Sequence, residues 1–433
     1  MKKLILYSLL ACMTFSMQSC LFSEDDLFEQ SSADRENTSV VELKSLLTSS
    51  TNGWKLVYRY GSEGMGGAAN LFMKFDANNV TIASDYATSS YAPGQTVTSL
   101  YTVQSYNGTE ISFDSYNEIL HSFCEPNGYN DPGLMGDYEF IVRSCSENEI
   151  SLTGKKYGVE MIMTRLDDTV DWAGYLAAAA QISDDSDYPQ FAVINGGQKI
   201  AVVERSLNER AFTVVEDNGD GTSTSYVYPF VATDKGVKLI EPLVVNGIPI
   251  QNLTWNGEER TFTCTDEGVD AVLIYERSAG YDQYLGTYLI EGASNLSAAY
   301  GTITLEPYKD GRLYMANYGF SFSGGVSVSF KMIFNYDIET EGIYIYGMNN
   351  VGVDSNGGIV ELALGYTSGG GLYSIFTSRD FIMEGIKTQD AQGRMVISFA
   401  LPQDFKENGA QSLLFVSSSI WDVWTDPVLT KLD

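Results

Sequence analysis

The chain has 433 residues, 44% of them hydrophobic and 12% aromatic, which is apolar material for roughly three domains of about 150 residues each. Its formal net charge of −30 repels nucleic-acid phosphates and anionic membrane surfaces, so no nucleic-acid partner is expected. One histidine, His121, excludes the zinc-peptidase pattern, which needs two histidines one helical turn apart.

The N-terminus begins with Lys2 and Lys3, followed by an apolar run from Leu4 to Met17. That run is shorter than the about 20 residues needed to cross a bilayer. Ser19-Cys20 follows, a small residue before a cysteine. The layout is that of a secretory signal peptide, and it resembles the signals of bacterial lipoproteins. It predicts a signal over residues 1–19, lipidation of Cys20, and membrane lipid as the first partner. A second cleavage box, Leu9-Leu10-Ala11-Cys12, would leave further apolar sequence behind it. Leu21-Phe22-Ser23-Glu24-Asp25-Asp26 resembles the surface-export tag of Bacteroidetes lipoproteins, which implies an outer-membrane location facing the cell exterior. The plain alternative is a solvated acidic tether over residues 20–36.

An N-terminal domain, mostly β, is expected over residues 37–167. Thr38 or Ser39 can cap a first helix with Val40, Leu43 and Leu47 on one face, stopped at Asn52-Gly53. Strands are predicted at 54–58, 70–76 and 80–84, the last two joined by a hairpin at Ala77-Asn78-Asn79. More follow near 100–103, 110–113, 138–143, 149–152 and 159–163. A middle β domain over 168–279 opens with a helix whose Trp172, Tyr175, Leu176 and Ala179 share a face. Strands at 191–194, 200–203, 212–215 and 225–231 continue it. A third domain, 280–433, alternates at 301–305, 313–317, 326–333, 342–346 and 359–364, the pattern of an antiparallel barrel or sandwich. The fold class is therefore mainly β, several antiparallel sheets with one or two short helices. Gly286-Thr287-Tyr288 resembles the first strand of lipocalin-like barrels, and no function is drawn from that.

Catalytic signatures are missing. No Gly-x-Ser-x-Gly elbow presents a serine, and no phosphate-binding P-loop occurs. Gly64 to Ala69 matches a dinucleotide fingerprint in letters, but strand-like Leu71 to Phe75 follows where that motif needs a helix. Asp217-Asn218-Gly219-Asp220-Gly221 can donate oxygens to calcium, with Asp217 and Asp220 as the carboxylates. The same residues suit a hairpin turn. No other cofactor is expected. Of the cysteines, Cys124, Cys145 and Cys264 remain after processing, an odd number that leaves a thiol free. Cys124 and Cys145 are near enough in sequence to pair in an oxidising compartment, and three small buried hydrophobes are the alternative. Trp421 and Trp424 can form an aromatic platform, although a spacing of three puts them on opposite faces of a strand. The long Gly-, Pro- and Asn-rich loop at 121–137 holds the histidine near acids and tyrosines. Long loops on a rigid β scaffold carry binding function, so Tyr116, His121, Tyr129, Asp131 and Asp137 are candidate ligand-binding residues.

Several segments resemble a large lipoprotein family of gut Bacteroidetes, known as a domain of unknown function. They are Asn52-Gly53-Trp54, Phe72-Met73-Lys74-Phe75-Asp76, Ile111-Ser112-Phe113-Asp114-Ser115-Tyr116-Asn117 with Leu120-His121-Ser122-Phe123, Gly136-Asp137-Tyr138-Glu139-Phe140, Leu152-Thr153-Gly154-Lys155-Lys156 and Met163-Thr164-Arg165-Leu166. The resemblance spans residues 37–280. It implies a neighbourhood beside nutrient-uptake systems of the starch-utilisation type, with an outer-membrane transporter complex as a partner, and no catalytic residues. A non-enzymatic protein capturing a glycan or peptide is the expected role. A carboxylate-pair hydrolase acting on a polysaccharide and a structural or adhesive surface protein are the alternatives.

Overall fold

The computed structural model describes residues 32–105, 108–126, 132–205, 209–294, 299–321, 327–376, 381–403, 409–418 and 421–432. The chain divides into two compact units, one up to Ala180 and one from Gln181 onward. Both are built from antiparallel strands, as expected from the composition.

In the first unit, helix α1 (Ser32–Thr48) precedes strands β1 (Trp54–Tyr60), β2 (Gly67–Phe75), β3 (Asn79–Ser84), β4 (Thr96–Leu100), β5 (Thr102–Ser105), β6 (Thr109–Ser112), β7 (Glu139–Cys145), β8 (Glu149–Gly154) and β9 (Glu160–Arg165). The ladder runs β4-β3-β2-β1-β9-β8-β7-β6-β5. Tyr101 joins β4 to β5, so the sheet curls back on itself as a barrel. The period of two in β1 buries Trp54, Leu56, Tyr58 and Tyr60 inside. Helix α1 starts at Ser32, ahead of the expected cap at Thr38, because Ala33, Arg35 and Glu36 are good helix formers. Its Leu43 and Leu47 join the barrel core, and Leu47 offers its carbonyl to the Trp54 indole N–H at 2.9 Å.

Strand β2 is buried on both faces, and the physical reason is α3 (Trp172–Asp185). Within the first unit Trp172 and Tyr175 pack their rings on Phe72 at 5.6 and 5.3 Å, with Leu176 beside them. The hairpin at 77–79 forms as predicted, with the Asp76 carboxylate accepting the Asn78 and Asn79 amides at 2.8 and 2.7 Å.

The second unit holds two closed sets of strands. The first comprises β10 (Gln190–Asn195), β11 (Gln198–Glu204), β12 (Ala211–Asp217), β13 (Ser223–Ala232), β14 (Gly236–Val245), β15 (Ile248–Asn256), β16 (Thr261–Cys264) and β17 (Ala271–Tyr275). Each pairs with the next, and β17 pairs back to β10 around a core of Phe191, Phe212, Phe230 and Phe262.

After α4 (Ala279–Asp282) come β18 (Gly286–Ser294), β19 (Ala299–Lys309), β20 (Leu313–Ser321), β21 (Ser327–Asp337), β22 (Gly342–Tyr346), β23 (Met348–Asp354), β24 (Ile359–Ser368), β25 (Gly371–Phe376), β26 (Ile382–Gln389), β27 (Met395–Ala400), β28 (Ala410–Val416) and β29 (Trp421–Lys431). Here β21 and β29 each serve two neighbours on one side. One circuit closes through β22-β26-β27, and the other closes through β23-β24-β28. Both use β18 to β21 and β29, and β18 pairs with β29 to complete them.

The two sets meet through the β19–β20 turn. Arg312, 8% exposed, donates to the carbonyls of Asp187, Tyr188 and Arg205 and pairs with the Asp187 carboxylate at 3.1 Å. Gly311 takes φ +78°, and a Cβ there would press on Pro189 and the Tyr275 hydroxyl at 2.8 and 2.9 Å, so the close approach requires glycine.

Candidate functional site

The loop singled out in the sequence begins with a short helix, α2 (Glu118–His121). Asn117 caps it, its side-chain oxygen 3.4 Å from the Leu120 amide. The same side chain, fully buried, donates to Ser99 Oγ at 3.1 Å and so ties the helix to β4. Glu118 reaches the other way. Its carboxylate accepts from Thr88 Oγ1, Ser89 Oγ and the Ser90 amide at 2.6, 3.0 and 3.0 Å, and the Thr88 bond leads the contacts that hold its pKa below the usual value.

His121 stands between two tyrosines. Its ring is 5.1 Å from Tyr116 and 5.3 Å from Tyr138, the latter nearly parallel at 24°. The Asn117 amide lies 3.1 Å from Nδ1 and fixes the ring's rotation. Tyr116 is 59% exposed and Tyr138 is 38% exposed. Desolvation and then the Glu125 carboxylate, to which it hydrogen-bonds, push the Tyr116 hydroxyl pKa up. The result is an open stack of three rings on the surface of the first unit.

Beside the stack lies a cavity of about 200 Å³ lined by Cys124, Gly136, Asp137, Tyr138, Glu139, Lys155 and Lys156. Asp137 is 3% exposed, and its carboxylate accepts the Lys156 and Tyr157 amides at 2.7 and 3.2 Å. Burial nonetheless pushes its pKa up. Lys155 bridges Glu110 and Glu139 at 2.8 and 2.9 Å, hydrogen bonds that raise its pKa. Burial pushes the Cys124 thiol up to about 11, so it stays protonated at neutral pH and is no nucleophile. This arrangement can bind and orient a ligand. Among the described residues here, no nucleophile is paired with a base.

Of the five candidate ligand-binding residues, the structure brings Tyr116 and His121 into one stack and sets Asp137 in the adjoining cavity. Tyr129 and Asp131 lie outside the described residues, as does Cys20. Tyr138, Lys155 and Glu118 were missed by the sequence reading. Tyr138 reaches His121 only because the loop returns to the barrel at β7, a long-range pairing with no local signal. Cys124, Cys145 and Cys264 are all free thiols, so the Cys124–Cys145 pairing that their spacing left open is not formed. Cys124 sits behind Tyr58, 3.7 Å from its hydroxyl, whereas Cys145 is exposed at the end of β7.

Asp217 and Asp220 share one exposed turn. Asp217 accepts the Gly219 amide at 2.8 Å, and Asp220 accepts from the Thr222 amide at 2.9 Å. Among the described residues, no group of three or more His, Cys, Asp or Glu is placed to hold a metal ion. Of the two tryptophans expected on opposite faces of a strand, one packs in the core. Trp424, 1% exposed, packs on Phe330, Phe415 and Tyr318 in the core and donates its indole N–H to Asp422 at 2.8 Å.

Fold and site together define a mainly β protein with an open aromatic surface stack. The chain belongs to the family described as a domain of unknown function (DUF4302), which matches residues 24–257. No curated protein matches it. Among solved structures, the isotype 1 transferrin binding protein B from serogroup B Neisseria meningitidis is 9% identical, with 84% of this chain and 65% of that one covered. The TM-score of that match is 0.13.

Proposed function

We propose that this is a non-enzymatic lipoprotein of the Bacteroidetes outer membrane, anchored through Cys20 and facing the cell exterior. It captures a glycan or peptide as an accessory to a nutrient-uptake transporter. The address rests on the signal layout and the acidic tag after Cys20. The capture role rests on one observation, the exposed Tyr116–His121–Tyr138 stack held by a buried cap. Stacked rings present apolar faces with polar edges, which suits both sugar rings and peptide side chains.

Titration of the full mature chain against a panel of glycans and peptides, with and without calcium, tests this. A saturable ligand whose binding weakens about tenfold on Tyr116→Ala or Tyr138→Ala is expected. A dependence on calcium that Asp217→Asn removes would bring the 217–221 turn into the function. Turnover of any polymer in the panel, or no saturable ligand at all, would sink the reading.

A further inference from the structure

The second unit carries a larger cavity, about 710 Å³, on the outer face of β21, β22 and β26. That volume lies in the range of ligand sites, about 300–1,000 Å³. Register builds it. Asn335 stands opposite Tyr344, which stands opposite Glu384. One step along, Tyr346 stands opposite Ile382, and on the other side Asp337 faces Gly342, whose missing side chain leaves room. The alternate residues Ile345 and Met383 are buried in the core, so Asn335, Tyr344, Tyr346 and Glu384 share the outer face. Tyr344 and Tyr346 are half-buried and follow one another at about 7 Å, the two-residue rise of a strand.

Asn335 supplies the second observation. It is 3% exposed, it lines the cavity, and its side-chain Nδ2 donates to no partner. A buried donor left unmade destabilises the sheet, and an acceptor from outside would relieve it. Asp337 and Glu384 add carboxylates, which accept hydrogen bonds from hydroxyls and repel anions.

We infer that this groove is a second binding site, for a neutral, hydroxyl-rich oligosaccharide. Two ring faces, a stranded amide donor and carboxylate acceptors match the apolar faces and the hydroxyl edges of sugar rings. A peptide is a poorer fit. Strand β22 is paired on both sides, to β21 and β26, so no free sheet edge is present here for a peptide backbone to extend. The two carboxylates and the net charge of −30 exclude acidic glycans. The site lies beyond residue 257, outside the matched family region. It stands independently of the ring stack in the first unit.

The test titrates the full mature chain with short neutral oligosaccharides of glucose, mannose, galactose and xylose, and with oligogalacturonate as the anionic counterpart. At least one neutral sugar should saturate, and oligogalacturonate should bind at least about tenfold more weakly. Asn335→Leu should weaken the neutral sugar about tenfold without lowering Tm, because it removes the stranded amide. Tyr344→Ala should weaken it likewise, while Tyr226→Ala, at an exposed tyrosine that does not line the cavity, leaves this titration unchanged. Blank titrations with every neutral sugar overturn the inference. So does binding indifferent to both groove variants, or saturation of the groove by a lysine-rich peptide instead. Loss of sugar binding through Tyr116→Ala alone would keep the ring-stack reading and overturn this one.

Discussion

Cys124 shows how burial decides the chemistry of one side chain. Its thiol lies 3.6 Å from the Leu120 carbonyl and is pushed up to about 11, so the fold disfavours the thiolate. The unfolded chain would release that proton near the ordinary thiol pKa of about 8.5. Below that pH the folded and unfolded states hold the same proton. As pH rises from about 8.5 towards 11, the unfolded state loses it first and stability falls. Urea unfolding across that window should show the decline, and Cys124→Ser should flatten it. At pH 7, iodoacetamide should label exposed Cys145 quickly and Cys124 slowly, and equal rates would contradict the burial argument. Gly154 is a second such position. A Cβ there would lie 2.1 Å from Asp137 Oδ2, so Gly154→Ala should cost about 3 kcal/mol in urea unfolding. None of this was legible from spacing. Cys124 and Cys145 are neighbours in sequence, but one faces Tyr58 and the other faces solvent.

Short helix α2 depends on its cap more than on its length. Its four residues cannot form a stable helix alone. Asn117→Ala removes the cap, worth about 1 kcal/mol, and leaves Ser99 without its buried donor. A total loss of about 2–3 kcal/mol is expected in thermal unfolding, with weaker binding at the stack because α2, which carries His121, loses its side-chain anchor to β4. Elements of this kind were partly readable. The stripe of Leu43 and Leu47, the face of Leu176 and Ala179, and the strand at 342–346 follow from periodicity alone and appear where expected. Strand β2 broke the alternation because α3 covers its outer face. The groove was not readable at all. Asn335, Tyr344 and Glu384 meet through register between strands up to about fifty residues apart, and single-strand periodicity carries no register information.

Across the second unit, charge placement decides which contacts matter. The Asp187 carboxylate is 7% exposed and faces Arg312 at 3.1 Å, Lys309 at 3.5 Å and Arg205 at 3.7 Å. Asp187→Ala strands buried guanidinium groups and should cost about 3–5 kcal/mol. Asp310 pairs with Arg260 and Arg277 at 2.8 and 3.1 Å, but these arginines are 45% and 37% exposed. Asp310→Ala should cost less than about 1 kcal/mol, screened by solvent. Chemical denaturation of both variants separates the two cases, and equal losses would refute the distinction. Composition foretold a β body of this kind, but not which strands would close it.

Strand β29 sets the order in which the C-terminal circuits can be completed. It pairs with β18, β27 and β28, and its contact with β18 joins Lys431 to Tyr288. Neither circuit can close until this strand is in place, however early β18 to β22 have formed. Contacts so distant along the chain make for slow folding, since the loop must be ordered before the contact rewards it. A chain synthesised N-terminus first therefore leaves this body open until its last strand emerges, and the rate at which β29 docks governs how long its strand edges stay exposed.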